Sequence, residues 1–280
     1  MTRAEDATMH TADIDGVTWS YRDVGAGPLV VLTHGTLSSH VMFDSLVDEL
    51  STRFRCVVPD WPGHGSSGWN SAGWGAPELV EGLAALIDVI DAGPAVLVGL
   101  SQGGAVSIRV ALEHPDRVAA LVTLSAGPDG PAAAALDAMA RLGDALAREN
   151  DAERRRLLAA QQPVFHAKGW VEANPGDATN ELDVMLSHPR AAMPHATRVP
   201  ASYESVEARL PEIACRTLVV WGAEDVRAGW GDAMVAAIPG ARLLTVDGAG
   251  HHVLHDQGRV VVDAVAAFLD EVSARDGSRA

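Results

Sequence analysis

The stretch Ala95-Val-Leu-Val-Gly-Leu-Ser101-Gln-Gly-Gly104 constrains this chain more than any other. Ala95 to Val98 is a short valine-rich apolar run, as suits a strand covered on both faces. Ala105, Ile108 and Leu112 then recur at helical spacing until His114-Pro115 ends the pattern, because a residue before proline is pushed out of helical backbone. A strand must therefore become a helix across Gly99-Leu100-Ser101-Gln102-Gly103. This fits the G-x-S-x-G nucleophile elbow, in which glycines leave room for crowded backbone and the serine hydroxyl stands above the sheet edge. The free N–H groups and positive dipole end of the helix favour negative charge developing beside Ser101.

Around this element the chain alternates strand and helix. It opens with a hairpin, Thr11 to Ile14 and Val17 to Arg22 about Asp15-Gly16. Strands at Leu29–Leu32, Cys56–Val58, Ala95–Val98 and Ala119–Leu124 follow, separated by helical stripes such as Leu79, Leu83, Leu86, Ile87 and Ile90. Such alternation predicts an α/β protein with a mainly parallel sheet, since parallel neighbours need crossover connections. Between Pro128 and Pro211 the rhythm breaks into helical stripes near Leu136–Leu146, Arg154–Phe165 and Thr179–Leu186. The expected organisation is a core over residues 1–127, a helical insertion over 128–211 and the rest of the core over 212–280. The second part carries strands at Thr217–Trp221 and Arg242–Val246, a closing helix around Val261 to Leu269 and a polar tail, Ser273 to Ala280, expected to fray.

A net charge of -16 opposes binding to nucleic acid or to an anionic membrane. Two cysteines, Cys56 and Cys215, are too few for a disulfide scaffold. With no secretion signal in Met1 to Met9 and no apolar run long enough to span a bilayer, the expected location is the cytoplasm.

A serine hydroxyl is a poor nucleophile near neutral pH, so it needs a base in hydrogen-bond reach and an acid that orients the base. Trp221-Gly-Ala-Glu-Asp225 places carboxylates just past one strand, and Gly248-Ala-Gly-His251-His252 places imidazoles just past the last. Strand ends on one side of a parallel sheet share an edge, where these positions can meet.

Together with His34-Gly35 and Gly63-His64-Gly65-Ser66, these motifs make the chain resemble the serine members of the α/β-hydrolase superfamily over essentially its whole length. The resemblance implies an eight-stranded, mostly parallel sheet flanked by helices, with a helical lid inserted where this sequence has Pro128 to Pro211. It implies Ser101 as nucleophile, Asp225 as orienting acid and His251 as base, in the order the family uses. Glu224 and, in the manner of some relatives, Asp129 are the rival acids. The backbone N–H groups of Thr36 and Gln102 are implied as the oxyanion hole, whereas His34 and His64 take structural places.

The expected reaction is hydrolysis of a small to medium carboxylic ester or lactone through an acyl-enzyme. Carbon–carbon cleavage, perhydrolysis, lyase chemistry or a biosynthetic step on the same triad is the alternative, and a ligand receptor without catalysis a further one. Trp170, His166, His188 and Tyr203 are expected to line the substrate pocket, with Arg190 and Arg198 as candidates for a substrate carboxylate. His251 and His255 are spaced four apart, which pairs metal ligands only on a helix, and no further ligand motif accompanies them; neither metal nor cofactor is expected. A monomer or homodimer acting on a small molecule completes the expectation.

Overall fold

The computed structural model describes residues 9–276. Its eight strands are β1 (Met9–Ile14), β2 (Val17–Val24), β3 (Leu29–Thr33), β4 (Arg55–Pro59), β5 (Ala95–Leu100), β6 (Val118–Leu124), β7 (Arg216–Gly222) and β8 (Arg242–Val246). They lie in one sheet in the order β1-β2-β4-β3-β5-β6-β7-β8. The β1–β2 and β2–β4 pairs are antiparallel and the remaining pairs parallel, the mainly parallel sheet expected. Asp15 and Gly16, with φ of 50° and 76°, turn the hairpin, as a tight two-residue loop between twisted strands demands.

Successive strand residues divide between two cores. Leu29, Val31, Val57, Leu97, Leu121 and Val219 face the helices Ala76–Ile90, Gln102–Glu113 and Gly229–Ala237. Val30, Leu32, Val58, Val98, Val122 and Val220 face Asp44–Leu50 and Gly258–Asp276 on the other side. Strands covered on both faces are apolar throughout, which is why these runs lack polar alternation. The final helix reaches Asp276, past the point where fraying was expected, and the last residues of that tail lie outside the described ones, as does the stretch before Met9.

Between β6 and β7 the chain forms the helices Ala133–Arg148, Asp151–Ala159, Gln162–Phe165, Trp170–Ala173 and Pro175–Ser187, followed by short turns. The single stripe read over Arg154–Phe165 is two helices, because Pro163 lacks an N–H and its ring collides with the preceding turn. Leu146, Leu158, Leu182, Met185 and Met193 gather into a small separate core that also holds Leu37. Val199, Leu210 and Ile213, near the end of this excursion, pack with the main core.

Candidate active site

Ser101 follows β5 directly and precedes the helix Gln102–Glu113, with φ 52° and ψ -115°. A non-glycine residue in this region carries about 1–3 kcal/mol of strain and needs surroundings that hold it. Its N–H donates to Leu124 O at 2.9 Å, and its carbonyl accepts from Ala105 N at 2.9 Å. The glycines around it answer to crowding: a Cβ on Gly103 would stand 2.0 Å from Thr33 O, so the helix can start this close to β3 only without a side chain there.

The loops after β7 and β8 close on this point. Ser101 Oγ donates to His251 Nε2 at 2.9 Å, and His251 Nδ1 donates to Asp225 Oδ2 at 2.7 Å. Both His251 and Asp225 are buried. Asp225 is further held by accepting Arg227 N at 3.0 Å. Burial raises the Asp225 carboxyl, but the hydrogen bond from His251 and the charge of Arg227 outweigh it, leaving it below the ordinary range. Burial lowers His251; Asp225 opposes this and Arg227 adds to it, so the imidazole stays neutral below its usual value. A neutral imidazole with its proton on Nδ1 leaves Nε2 free to accept, as a base for the Ser101 proton must.

Of the rival acids, Glu224 turns outward, where its Oε2 accepts Lys168 N at 2.9 Å. Asp129 borders the same cavity as Ser101. Arg227, which the sequence reading passed over, places one Nη within 2.9 and 3.2 Å of the two His251 ring nitrogens and lies 3.9 Å from Asp225 Oδ1. Its signal was adjacency alone, two residues beyond Asp225 in the same short loop.

Thr36 follows β3, and its hydroxyl donates to the Gln102 side-chain Oε1 at 2.9 Å. That bond ties the loop carrying the Thr36 amide to the first residue of the elbow helix, whose N–H has no acceptor within the helix. The buried histidines nearby hold backbone. His34 Nε2 accepts Trp61 N at 3.1 Å while Nδ1 donates to Gly35 O at 2.7 Å, and burial lowers its pKa to about 4. His64 Nε2 accepts Leu37 N at 3.2 Å. Asp60, fully buried, accepts His40 N at 2.8 Å and Ser66 N at 3.0 Å and so joins the Thr36 loop to the Gly63–Ser66 turn.

Ser101 opens into a cavity of about 440 Å³ whose walls include Thr36, Met139, Phe165, Tyr203, Arg227 and Trp230. Of the residues expected to line the substrate pocket, Tyr203 borders this cavity. Trp170, His166 and His188 are not on this cavity. His188 is buried against the His64 ring and accepts Gly65 N at 3.1 Å, because the turn needs that acceptor. His166 lies between Glu181 and Asp256, and Trp170 stacks on it with ring centres 3.8 Å apart. Arg190 and Arg198 are spent at the surface on Asp151 at 2.6 Å and Asp144 at 2.8 Å. The cation on the cavity wall is Arg227.

A three-layered α/β/α fold with a serine on a strained elbow and an imidazole and carboxylate from later strands defines a class. Residues 30–264 match the alpha/beta hydrolase family, and the chain belongs to it. A pimeloyl-[acyl-carrier protein] methyl ester esterase of Xanthomonas campestris pv. campestris is 28% identical over 255 residues, covering 88% of this chain and 96% of the relative. The 2-(acetamidomethylene)succinate hydrolase of Mesorhizobium japonicum is 35% identical over 136 residues, 48% of this chain and 49% of its own length. Among solved structures, a thermophilic esterase from Thermogutta terrifontis superposes with a TM-score of 0.85 at 25% identity, covering 95% of this chain and 99% of the esterase. With such homologues and structural neighbours the chain is an ester-hydrolase-like enzyme. No helix among the described residues is long and apolar enough to cross a membrane.

Proposed function

We propose that this enzyme hydrolyses a small to medium carboxylic ester or lactone through an acyl-enzyme on Ser101. The observation that carries the reading is the unbroken relay from Ser101 Oγ to His251 Nε2 at 2.9 Å and from His251 Nδ1 to Asp225 at 2.7 Å. His251 takes the Ser101 proton as Oγ attacks the carbonyl carbon, and the oxyanion rests on the N–H groups of Thr36 and Gln102. The imidazolium then gives its proton to the departing alkoxide, leaving the acyl group on Ser101. Water, deprotonated by His251, attacks that ester and releases the acid, regenerating the serine. With a lactone the leaving alkoxide stays attached to the acyl chain, so the product is a hydroxy acid.

The cavity's volume of about 440 Å³ supports a substrate of modest size, and its largely apolar walls support an aliphatic acyl chain. Arg227 on the wall favours substrates bearing a carboxylate, which accords with a relative named for a substituted succinate. Residues 128–211 serve as the lid that shapes this space, through Met139, Phe165 and Tyr203.

The test is stoichiometric labelling of Ser101 by a fluorophosphonate, with turnover of short p-nitrophenyl esters and small lactones measured for wild type and Ser101→Ala. Labelling at one site per chain and loss of turnover in the variant are expected. A Ser101→Ala variant as active as wild type would rule out the covalent route.

A further inference from the structure

Beside the candidate active site, whose cavity wall includes His252, four potential metal ligands converge. The ligand atoms of His166, Glu181, His252 and His255 all lie within 4.8 Å of one another. His166 follows the short helix Gln162–Phe165, Glu181 lies on the helix Pro175–Ser187, and the other two stand at the start and within the short helix Val253–Asp256, just past His251. Glu181 Oε1 lies 2.7 Å from His252 Nδ1, 3.3 Å from His166 Nε2 and 3.6 Å from His255 Nδ1. In a tetrahedral site with bonds of about 2.0–2.1 Å, neighbouring ligand atoms stand about 3.3–3.4 Å apart. Two of the three separations are within a few tenths of an ångström of that, and the third, 2.7 Å to His252, is a direct hydrogen bond that must open by about 0.6 Å, through rotation of the ring, to admit the ion.

The surroundings are those a metal site requires. His166 has its other nitrogen, Nδ1, donating to Asp256 Oδ1 at 2.6 Å, the carboxylate–imidazole arrangement that fixes ring orientation and raises ligand basicity. Gln162 Nε2 donates to Glu181 Oε2 at 2.8 Å, an oxygen that also lies 3.1 Å from His166 Nε2, while Oε1 is the oxygen within reach of all three rings. Asp256 Oδ2 accepts both Ala167 N and Gly250 N at 2.7 Å, so the frame behind the ligands is itself tied down. His166, Glu181 and His252 are buried, while half-buried His255 borders a wide cleft of about 880 Å³ that also reaches Glu181, giving an ion a route in. Among the described residues, the other grouping of potential ligands, Glu81, Glu113 and His114, is carried mostly by exposed side chains and lacks such a frame.

We propose that His166 Nε2, His252 Nδ1, His255 Nδ1 and Glu181 Oε1 bind one divalent transition ion of the zinc type. Three imidazoles and one carboxylate suit zinc, and four protein ligands make a closed, structural site. The ion clips the helical excursion to the segment that begins at His251. Contact there is already close: a Cβ on Gly250 would stand 2.6 Å from the His166 carbonyl carbon, and His252 N donates to Phe165 O at 2.8 Å.

The experiment uses the full chain, stripped with a chelator and dialysed. Zinc is measured by plasma mass spectrometry after reloading, cobalt(II) binding by its visible absorption, and melting temperature with and without added zinc. The expected result is about one ion per chain, the intense visible bands of four-coordinate cobalt, and a melting temperature that rises and saturates near one equivalent. His255→Ala, at a half-buried position that tolerates truncation, should weaken binding about 100-fold or more. Asp256→Asn should weaken it about 10–100-fold, and His114→Ala should leave it unchanged. Should His255→Ala not fold, Glu181→Gln read by cobalt absorption serves in its place. The proposal is overturned if the reloaded chain holds well under one ion with no change in melting, or if cobalt gives only the weak bands of a six-coordinate surface ion. It is equally overturned if His255→Ala and wild type bind alike, which would leave the cluster as a hydrogen-bonded latch only.

Discussion

Replacing Asp225 by asparagine keeps the shape of the side chain and removes its charge. As His251 takes the Ser101 proton it becomes an imidazolium whose Nδ1 lies 2.7 Å from Asp225 Oδ2. With charge centres about 4 Å apart and an effective dielectric of about 20, that attraction is about 4 kcal/mol, present only once the proton has moved. The amide brings a second loss. Its nitrogen, turned toward Nδ1, favours the tautomer with hydrogen on Nε2, so no lone pair faces Ser101. At about 1.4 kcal/mol per factor of ten, kcat/KM should fall roughly 10³–10⁴-fold. The assay is p-nitrophenyl butyrate hydrolysis by Asp225→Asn, Asp129→Asn and Glu224→Gln, with circular dichroism to confirm folding. Glu224→Gln should match wild type, its side chain being engaged with Lys168 N. The reasoning fails if Asp225→Asn stays within about tenfold of wild type, or if Asp129→Asn loses more.

Asp60→Asn tests the loop frame behind Thr36. Burial alone would raise the Asp60 carboxyl, but the hydrogen bond from His40, with the positive potential of His34 and His40, holds it at about 2. A carboxyl depressed from about 4 in the unfolded chain contributes about 2 kcal/mol, fully present above about pH 4 and lost as pH falls toward 2. Urea unfolding should therefore show the variant about 2 kcal/mol less stable near pH 6, with the gap narrowing near pH 3; an equal gap at both would contradict the assignment. Arg227→Gln removes the cation on the cavity wall. KM for p-nitrophenyl esters bearing a terminal carboxylate should rise about tenfold relative to neutral esters of the same length, and an equal effect on both would deny Arg227 a part in recognition.

Local chemistry made much of this molecule legible. The strand at Arg242–Val246 falls where the pattern placed it, and the turn at Asp15-Gly16 announces itself because few residues other than glycine and aspartate accept such backbone. Ser101, His251 and Asp225 could be named because each follows a strand within a few residues, and a parallel sheet delivers those strand ends to one edge. Neighbours in sequence and a regular topology sufficed.

Side-chain partners across the fold were decided only by tertiary structure. His166, His188 and Trp170 carry the chemistry of pocket residues, yet His188 is taken up by the turn at Gly65, and His166 and Trp170 turn toward Glu181 and Asp256. Arg190 and Arg198 looked available until Asp151 and Asp144 claimed them, while Arg227 came to the cavity through its loop. The expectation of no metal weighed His251 with His255; folding gives His251 to Ser101 and brings His166 and Glu181 to His255 instead. The reason is physical. A residue's periodicity reports which face of its own element is buried, but which polar groups share that burial depends on how the helices between β6 and β7 are laid over the sheet edge. Their small core of Leu146, Leu158, Leu182 and Met193 sets that placement through contacts with no local signature.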